Sequence, residues 1–420
     1  MTMSEKSTTC MDDYDPDSLT LDKAVSLVLD LVEPIPETEE LELFEASNRI
    51  LARPVVSSIQ VPAGRNSAMD GYALKHTDLN NTGPTRLTVI GKSLAGHPWT
   101  GVLQTGQTVR ITTGALLPDA ADCVVMQEQV EIDGERITIR TPQKPGQHVR
   151  EAGSDIQQSQ TVLETGSRLG PAELGLLASV GNDKAVVCRR PRVAIFSTGD
   201  ELVAPGETPR HGQIYDSNRY ILHGLLDRAG AEIIDLGIVA DSKTALEETF
   251  AKAQSADVII STGGVSVGEA DFVRDVLADL GQLHLWKIAM KPGRPLTVGK
   301  LNRGGLFFGL PGNPVSGIVT FHLFVAAALN KMQGLPRQQA LSLPACCTDT
   351  LRKLPGRIEF QRGIMRKNTA GQWEVSTTGL QDSHVLTSVH KANCFIILEM
   401  DSSGAEKGDM VNVIPFSGLS

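Results

Sequence analysis

Apolar residues recur at helical spacing over residues 19–32, where Leu21, Val25, Val28, Leu29 and Val32 mark one face. The stretch reads as an amphipathic helix with Thr20 as N-cap, ended by Pro34 and Pro36. A second helix is expected over 44–51, stopped before Pro54 because the residue preceding proline is biased away from helix. From 55 to 165 the pattern changes to short alternating apolar runs (86–90, 108–111, 123–126, 136–139) separated by Gly, Pro and Asp. Such spacing predicts a β-rich module of barrel or sandwich type. A further helix is expected over 168–180, with Pro171 in its first turn. Residues 192–334 alternate strand and helix. Strands fall at 193–196, 232–236, 257–260, 283–288, 296–298 and 306–309, and helices at 217–229, 242–254, 272–280 and 314–333. That alternation predicts a three-layer α/β domain. After a proline-containing linker at 335–344, short strands such as 394–398 and 410–414 predict a small C-terminal β-barrel.

The fold class is therefore α/β plus β, in several domains. Residues 1–18 read as a solvated tail, and 19–56 with 156–190 as a helical and mixed N-terminal domain. A β-rich domain is inserted at 57–155. The α/β domain covers 191–335 and the barrel 340–420. Composition narrows the function. The chain has 420 residues, a formal net charge of −10 and only 4% aromatics. This disfavours nucleic-acid and membrane partners and a base-stacking surface. Six cysteines include no CxxC pair, which reads as reduced thiols in a cytoplasmic protein. The N-terminus has no signal-peptide pattern, and no apolar run reads as long enough to span a bilayer. Among the nine histidines there is no HxH or HxxxH cluster, and the chain has neither a GxSxG elbow nor a Walker lysine motif.

Candidate chemistry concentrates at 257–317, which reads DVIISTGGVSVGEAD, then KIAMKPGRP, then LFFGLPGNPVSG. Two buried strands each end in a glycine-rich turn followed by a helical pattern. In an open α/β sheet, ligands bind outside the carboxyl ends of the strands. The turns at Gly263-Gly264 and Pro311-Gly312-Asn313 would then border one crevice, offering backbone N–H groups and helix N-termini to an anion. Lys287, Lys291 and Arg294 lie between them, and the two prolines of KPGRP stiffen their loop. Asp271 closes the first motif with a metal-capable carboxylate. A phosphate or oxyanion site is the expectation.

Four other segments carry candidate groups. NSAMDGYA (66–73) contains Asp70 in a turn, and RITTGA (110–115) ends a strand with Thr113. REAGSD (150–155) sets Arg150 near Asp155. FSTGDE (196–201) places Asp200 and Glu201 after a strand, where with Asp271 they suit magnesium, a hard cation that wants oxygen ligands.

Taken in order, these motifs resemble the molybdopterin molybdenumtransferase family, which is also the gephyrin E-domain family. The matching text is NSAMDGYA (66–73), RITTGALLP (110–118), Arg150 with Gly153-x-Asp155, FSTGDEL (196–202), GQIYDSN (212–218), STGGVSVGEAD (261–271), KPGRP (291–295), GLPGNPVS (309–316) and FQRG (360–363). It covers essentially the whole chain after residue 19. The adenylyltransferase family that acts one step earlier typically reads GGTG in the glycine loop, where this chain reads Gly263-Gly264-Val265-Ser266.

The resemblance implies a molybdopterin-binding α/β domain and a defined reaction. Adenylylated molybdopterin and molybdate would be the substrates. The adenylate would be cleaved with Mg2+, releasing AMP and molybdenum cofactor. It implies functional carboxylates at Asp70, Asp155, Asp241 and Asp271, with Thr113 beside them, general base and metal ligand being undivided among them. Arg150, Gly263, Gly264, Ser266, Lys287, Lys291, Arg294, Pro311, Pro314, Ser316, Arg362 and Ser383 would bind substrate and anion. Asp200, Glu201 and Asp271 would hold the metal. It also implies a homodimer with a composite active site, Asp70 and Asp155 coming from the partner subunit, and transient contacts with the molybdopterin adenylyltransferase and with molybdoenzymes. Two departures stand out. Glu151 and Ala152 occupy positions that are often basic, and Arg294 stands where lysine is common. Two rival readings are a scaffold protein, as eukaryotic relatives cluster receptors, and a general nucleotide pyrophosphate hydrolase. The retained carboxylates speak against the first and NSAMDGYA against the second.

Overall fold

A computed structural model describes residues 17–80, 82–263, 272–336 and 340–418. The chain divides into two compact units, one built from 17–39, 48–52 and 187–418, the other from 40–47 and 53–186.

The larger unit is organised by a six-stranded mixed sheet. Its order is Glu232–Val239, Arg192–Thr198, Val258–Thr262, Leu306–Leu310, Pro295–Leu301, Gly281–Lys287. The first four strands run parallel and the last two antiparallel. Central strands such as Val258–Thr262 and Leu306–Leu310 are buried along their whole length, so they read as continuous apolar runs rather than alternating ones. Alternate residues serve the two faces. Val193, Ile195, Val258, Ile260 and Phe308 pack with Val28, Leu222, Leu226 and Phe324. Ala194, Phe196, Ile259 and Phe307 pack with Leu246, Phe250, Val276 and Leu277. This is the expected three-layer arrangement. Each fully buried phenylalanine contributes roughly 1.5–3 kcal/mol through its burial.

A closed five-stranded barrel follows. Its strands Ile358–Lys367, Trp373–Thr377, Leu343–Cys347, Met410–Pro415 and Cys394–Leu398 return to the first through the Glu359↔Leu398 to Gly363↔Cys394 ladder. Closure removes the sheet edges, so the barrel needs no further cover. The smaller unit carries an open six-stranded sheet, ordered Cys123–Met126, Gly71–Leu74, Gln107–Ile111, Thr85–Ser93, Arg136–Ile139, Val130–Asp133.

Two expectations fail. No helix forms over 44–51. The chain makes a single turn there, with Ala46 N–H donating to Glu42 C=O, and Asn48 adopts a left-handed φ of 60°. Leu51 then pairs with Val187 as an isolated bridge. Of the apolar residues that suggested helix, Ala46, Ile50 and Leu51 are buried around this turn and bridge, whereas Phe44 is exposed. The reading that no run could span a bilayer also needs correction. The helix Pro314–Met332 has 19 residues and a mean hydropathy of 1.4. Its residues Ile318, Phe321, Phe324, Val325, Ala328 and Leu329 belong to the main core, however, as expected of a helix that is apolar all round. The expected tail at 1–16 lies outside the described residues.

Candidate functional site

In the smaller unit, Asp70 and Thr113 meet directly. Asp70 Oδ1 accepts from the Thr113 backbone N–H at 2.7 Å and from its hydroxyl at 2.8 Å. These two bonds, aided by Arg110, hold the exposed Asp70 carboxyl below its ordinary range. The turn reaches Thr113 because Gly71–Leu74 pairs with Gln107–Ile111 and Gly114 N–H donates to Ser67 C=O. Arg150 pairs across from Asn66 on the same segment. Asp155 lies further along, its N–H on Val61 C=O. Arg65 and Glu151 form an ion pair at 3.7 Å, so the acidic residue in this loop compensates a nearby cation.

In the larger unit, the candidate groups cluster at the carboxyl ends of the parallel strands. Thr262 is registered against Leu310, and Gly263 N–H donates to Leu310 C=O at 3.3 Å. The two turns are therefore adjacent, as the crevice argument requires. Gly263 has φ +82°, and a Cβ there would stand 2.5 Å from Thr198 C=O. No other residue fits this backbone without displacement. Gly264, Ser266 and Asp271 lie outside the described residues.

Three carboxylates share the rim of this sheet. Burial raises the Asp241 carboxyl, and the negative charges of Asp200 and Glu201 raise it further. Asp241 Oδ1 is buried without a hydrogen-bond partner, as is Thr198 Oγ1. An orphaned carboxylate oxygen beside two further acids fits a hard divalent cation. Among the described residues, no three acidic, histidine or cysteine side chains already form a metal cage. Magnesium can be held by one or two carboxylates while water and substrate oxygens complete its shell, so a site here would use at most two of these three.

The cations gather on the other side. Lys291 and Arg294 flank Gly293 (φ +96°), whose Cβ position lies 2.8 Å from Thr320 Oγ1 and 3.7 Å from Ser316 C=O. The KPGRP turn thus rests on the first turns of the helix Pro314–Met332. Val315 N–H donates to Ser383 C=O at 3.1 Å, bringing the Ser383 loop onto the same helix end beside Pro311, Pro314 and Ser316. Arg362 supports that loop from below. It is 1% exposed, and it donates to Ser388 Oγ at 3.0 Å and to Asp382 C=O at 3.1 Å. Burial lowers its pKa to about 10, which still leaves it charged at neutral pH. Two of its donors are thus spent on holding the loop rather than facing a ligand. Lys287 is exposed at the end of the edge strand, registered against Pro295 of the KPGRP turn, and Ile288 N–H donates to Arg294 C=O at 2.8 Å.

Two residues without an assigned role prove central. Asp216 is 1% exposed. It accepts from Ser197 Oγ, from Arg219 N–H and from Arg219 Nε, and Ser197 Oγ in turn meets Thr262 Oγ1 at 2.8 Å. Asn218 Nδ2 donates to Gly312 C=O at 2.7 Å. GQIYDSN therefore ties together the FSTGDEL, STGG and PGN turns. In the sequence, Asp216 and Asn218 stand out only as part of the GQIYDSN motif of the family resemblance, with no role of their own.

Three family profiles match consecutive parts of the chain: the MoeA N-terminal region (domains I and II) over residues 19–181, a probable molybdopterin binding domain over 194–331, and the MoeA C-terminal region (domain IV) over 344–416. The molybdopterin molybdenumtransferase of Haemophilus influenzae is 44% identical over 405 residues, 96% of this chain and 99% of its own length. This chain belongs to the molybdopterin molybdenumtransferase (MoeA) family. The molybdopterin molybdenumtransferase of a Nostoc species is 44% identical over 72% of this chain and 71% of its own. The crystal structure of a molybdopterin biosynthesis MoeA protein from Pyrococcus horikoshii superposes with a TM-score of 0.83 at 30% identity, covering 95% of this chain and all of that one. The shared fold includes the α/β domain that carries the clustered turns of this family member.

Proposed function

We propose that this chain is a molybdopterin molybdenumtransferase that inserts molybdate into adenylylated molybdopterin, releasing AMP and molybdenum cofactor. One observation carries the reading. The KPGRP turn, the PGN turn and the Ser383 loop converge on one helix N-terminus, with a buried arginine beneath them. Molybdate is a doubly charged tetrahedral oxyanion, and the pyrophosphate of the second substrate is also anionic. Bringing them together requires fixed positive charge and backbone donors. Lys291 and Arg294 would supply the charge, and the hydroxyls of Ser316 and Ser383 would donate to molybdate oxygens. Arg362 adds charge from beneath and keeps Ser383 in place.

One or two of Asp200, Glu201 and Asp241 would hold a magnesium ion, with Asp271 as a further ligand. Bound there, it would neutralise charge developing at the phosphate. Asp216 orients Ser197 and Thr262, which hold the glycine turn against the phosphates. Asp70, Thr113, Arg150 and Asp155 would complete the site from the partner subunit of a homodimer. The boundaries near residues 56, 155, 190 and 335–340 belong to the same proposal, as do cytoplasmic location and transient contacts with the adenylyltransferase and molybdoenzymes.

The test is AMP release from adenylylated molybdopterin with magnesium, with and without molybdate. Molybdate-stimulated release, yielding cofactor that reconstitutes a molybdoenzyme, is the expected outcome. Release indifferent to molybdate would point instead to a general pyrophosphate hydrolase. Tight binding without release would point to a scaffold.

A further inference from the structure

The segment that carries Lys291 is built partly by the C-terminal barrel. Met290–Lys291 runs parallel to the barrel strand Ile358–Lys367, with Lys291 registered against Glu359. Ile358 N–H donates to Ala289 C=O at 2.9 Å. Glu359 is a buried carboxylate, its side chain 8% exposed, whereas Lys291 is half exposed. Lys291 Nζ stands 3.5 Å from Glu359 Oε1, and Glu359 Oε2 accepts from Gln361 Nε2 at 3.0 Å. A buried carboxylate is costly unless it is paired and hydrogen-bonded. Other positive charge also acts on it. The fields of Lys353 and Arg362 both reach Glu359. The Lys353 ammonium is itself caged by the carbonyls of Leu354, Met400 and Ser402 at 2.9–3.2 Å. Lys291, Lys353 and Arg362 thus act on one buried carboxylate, while Asp382, Glu399 and Asp401 also act on Arg362 or Lys353.

We propose that Glu359 is a positioning residue for oxyanion binding. Its buried carboxylate pins the Lys291 ammonium beside the turn that Gly293 sets against Ser316 and Thr320. A free lysine carries a point charge on a flexible stem of four rotatable bonds and loses rotamer entropy when it is fixed. An ammonium already held at Glu359 gives up less of that freedom when an oxyanion binds. The inference rests on the reading of Lys291 as an anion-binding residue, and it gives the barrel a part in molybdate affinity.

The experiment compares the wild type, E359Q, E359D, K291A and the E359Q/K291A double variant, with thermal melts to monitor folding. Equilibrium binding of molybdate alone and the molybdate dependence of AMP release are both read. E359Q should raise the half-saturating molybdate about fivefold, with the rate at saturation nearly unchanged, and should add nothing further in the K291A background. E359D, which keeps the charge one methylene further back, should give a smaller rise. Full additivity in the double variant, or equal effects of E359Q and E359D, would overturn the proposal. K291A with unchanged molybdate dependence would instead remove Lys291 from anion binding, and the proposal with it.

Discussion

Asp241 shows what a single half-buried carboxylate implies. Its pKa is raised by burial and by the charges of Asp200 and Glu201, and one of its oxygens lacks a partner. The folded state therefore binds the Asp241 proton more tightly than the unfolded chain. The penalty is present in full above the raised folded pKa and fades as pH falls toward the ordinary carboxylate range. Asp241→Asn should accordingly melt higher than the wild type at neutral pH without divalent ions, and the difference should vanish near pH 4. Magnesium should raise the wild-type melting temperature more than that of the variant. An equal magnesium response in both would remove Asp241 from the metal site. Asp216 and Glu359 mark the limit of legibility at this scale. Asp216 acts through Ser197, 19 residues away, and Ser197 through Thr262, 65 residues away. No local pattern encodes such partners.

At the scale of elements, the strand ends decide the site. Val258–Thr262 and Leu306–Leu310 are buried apolar runs ended by glycine turns, so their identity and exit points were readable from spacing. The requirement for glycine at 263 came from a non-local contact, because only the folded sheet brings Thr198 C=O to within 2.5 Å of the missing Cβ. Gly263→Ala should therefore destabilise the larger unit by about 1–3 kcal/mol in chemical denaturation and impair AMP release. A variant of wild-type stability would show that the turn relaxes freely. The misread segment 44–51 has the opposite lesson. Its apolar residues are spaced as in a helix, yet Ala46, Ile50 and Leu51 are buried without one, around a left-handed Asn48 and the Leu51↔Val187 bridge, and Phe44 is left exposed.

The whole molecule splits its chemistry between two compact units. The larger holds the Lys291, Arg294 and Arg362 cations and the rim carboxylates, and the smaller holds the Asp70–Thr113 pair. If each active site combines halves from two subunits, Asp70→Asn and Lys291→Ala are defects in different halves. Dissociating and reassociating an equal mixture should then restore about a quarter of wild-type activity, because half the dimers are mixed and each has one intact site. Mixed dimers that form, as checked by cross-linking, but stay inactive would place both residues in the same half. Patterning alone was enough for the order of helices and strands in the α/β domain and for the α/β and barrel classes, because periodicity and glycine or proline punctuation act over a few residues, though it misread the turn at 44–51. Which carboxylates lie together, which arginine is buried beneath a loop and which glutamate meets Lys291 were decided only by tertiary structure. Those relations depend on sheet order and barrel closure, which bring together groups that are distant along the chain.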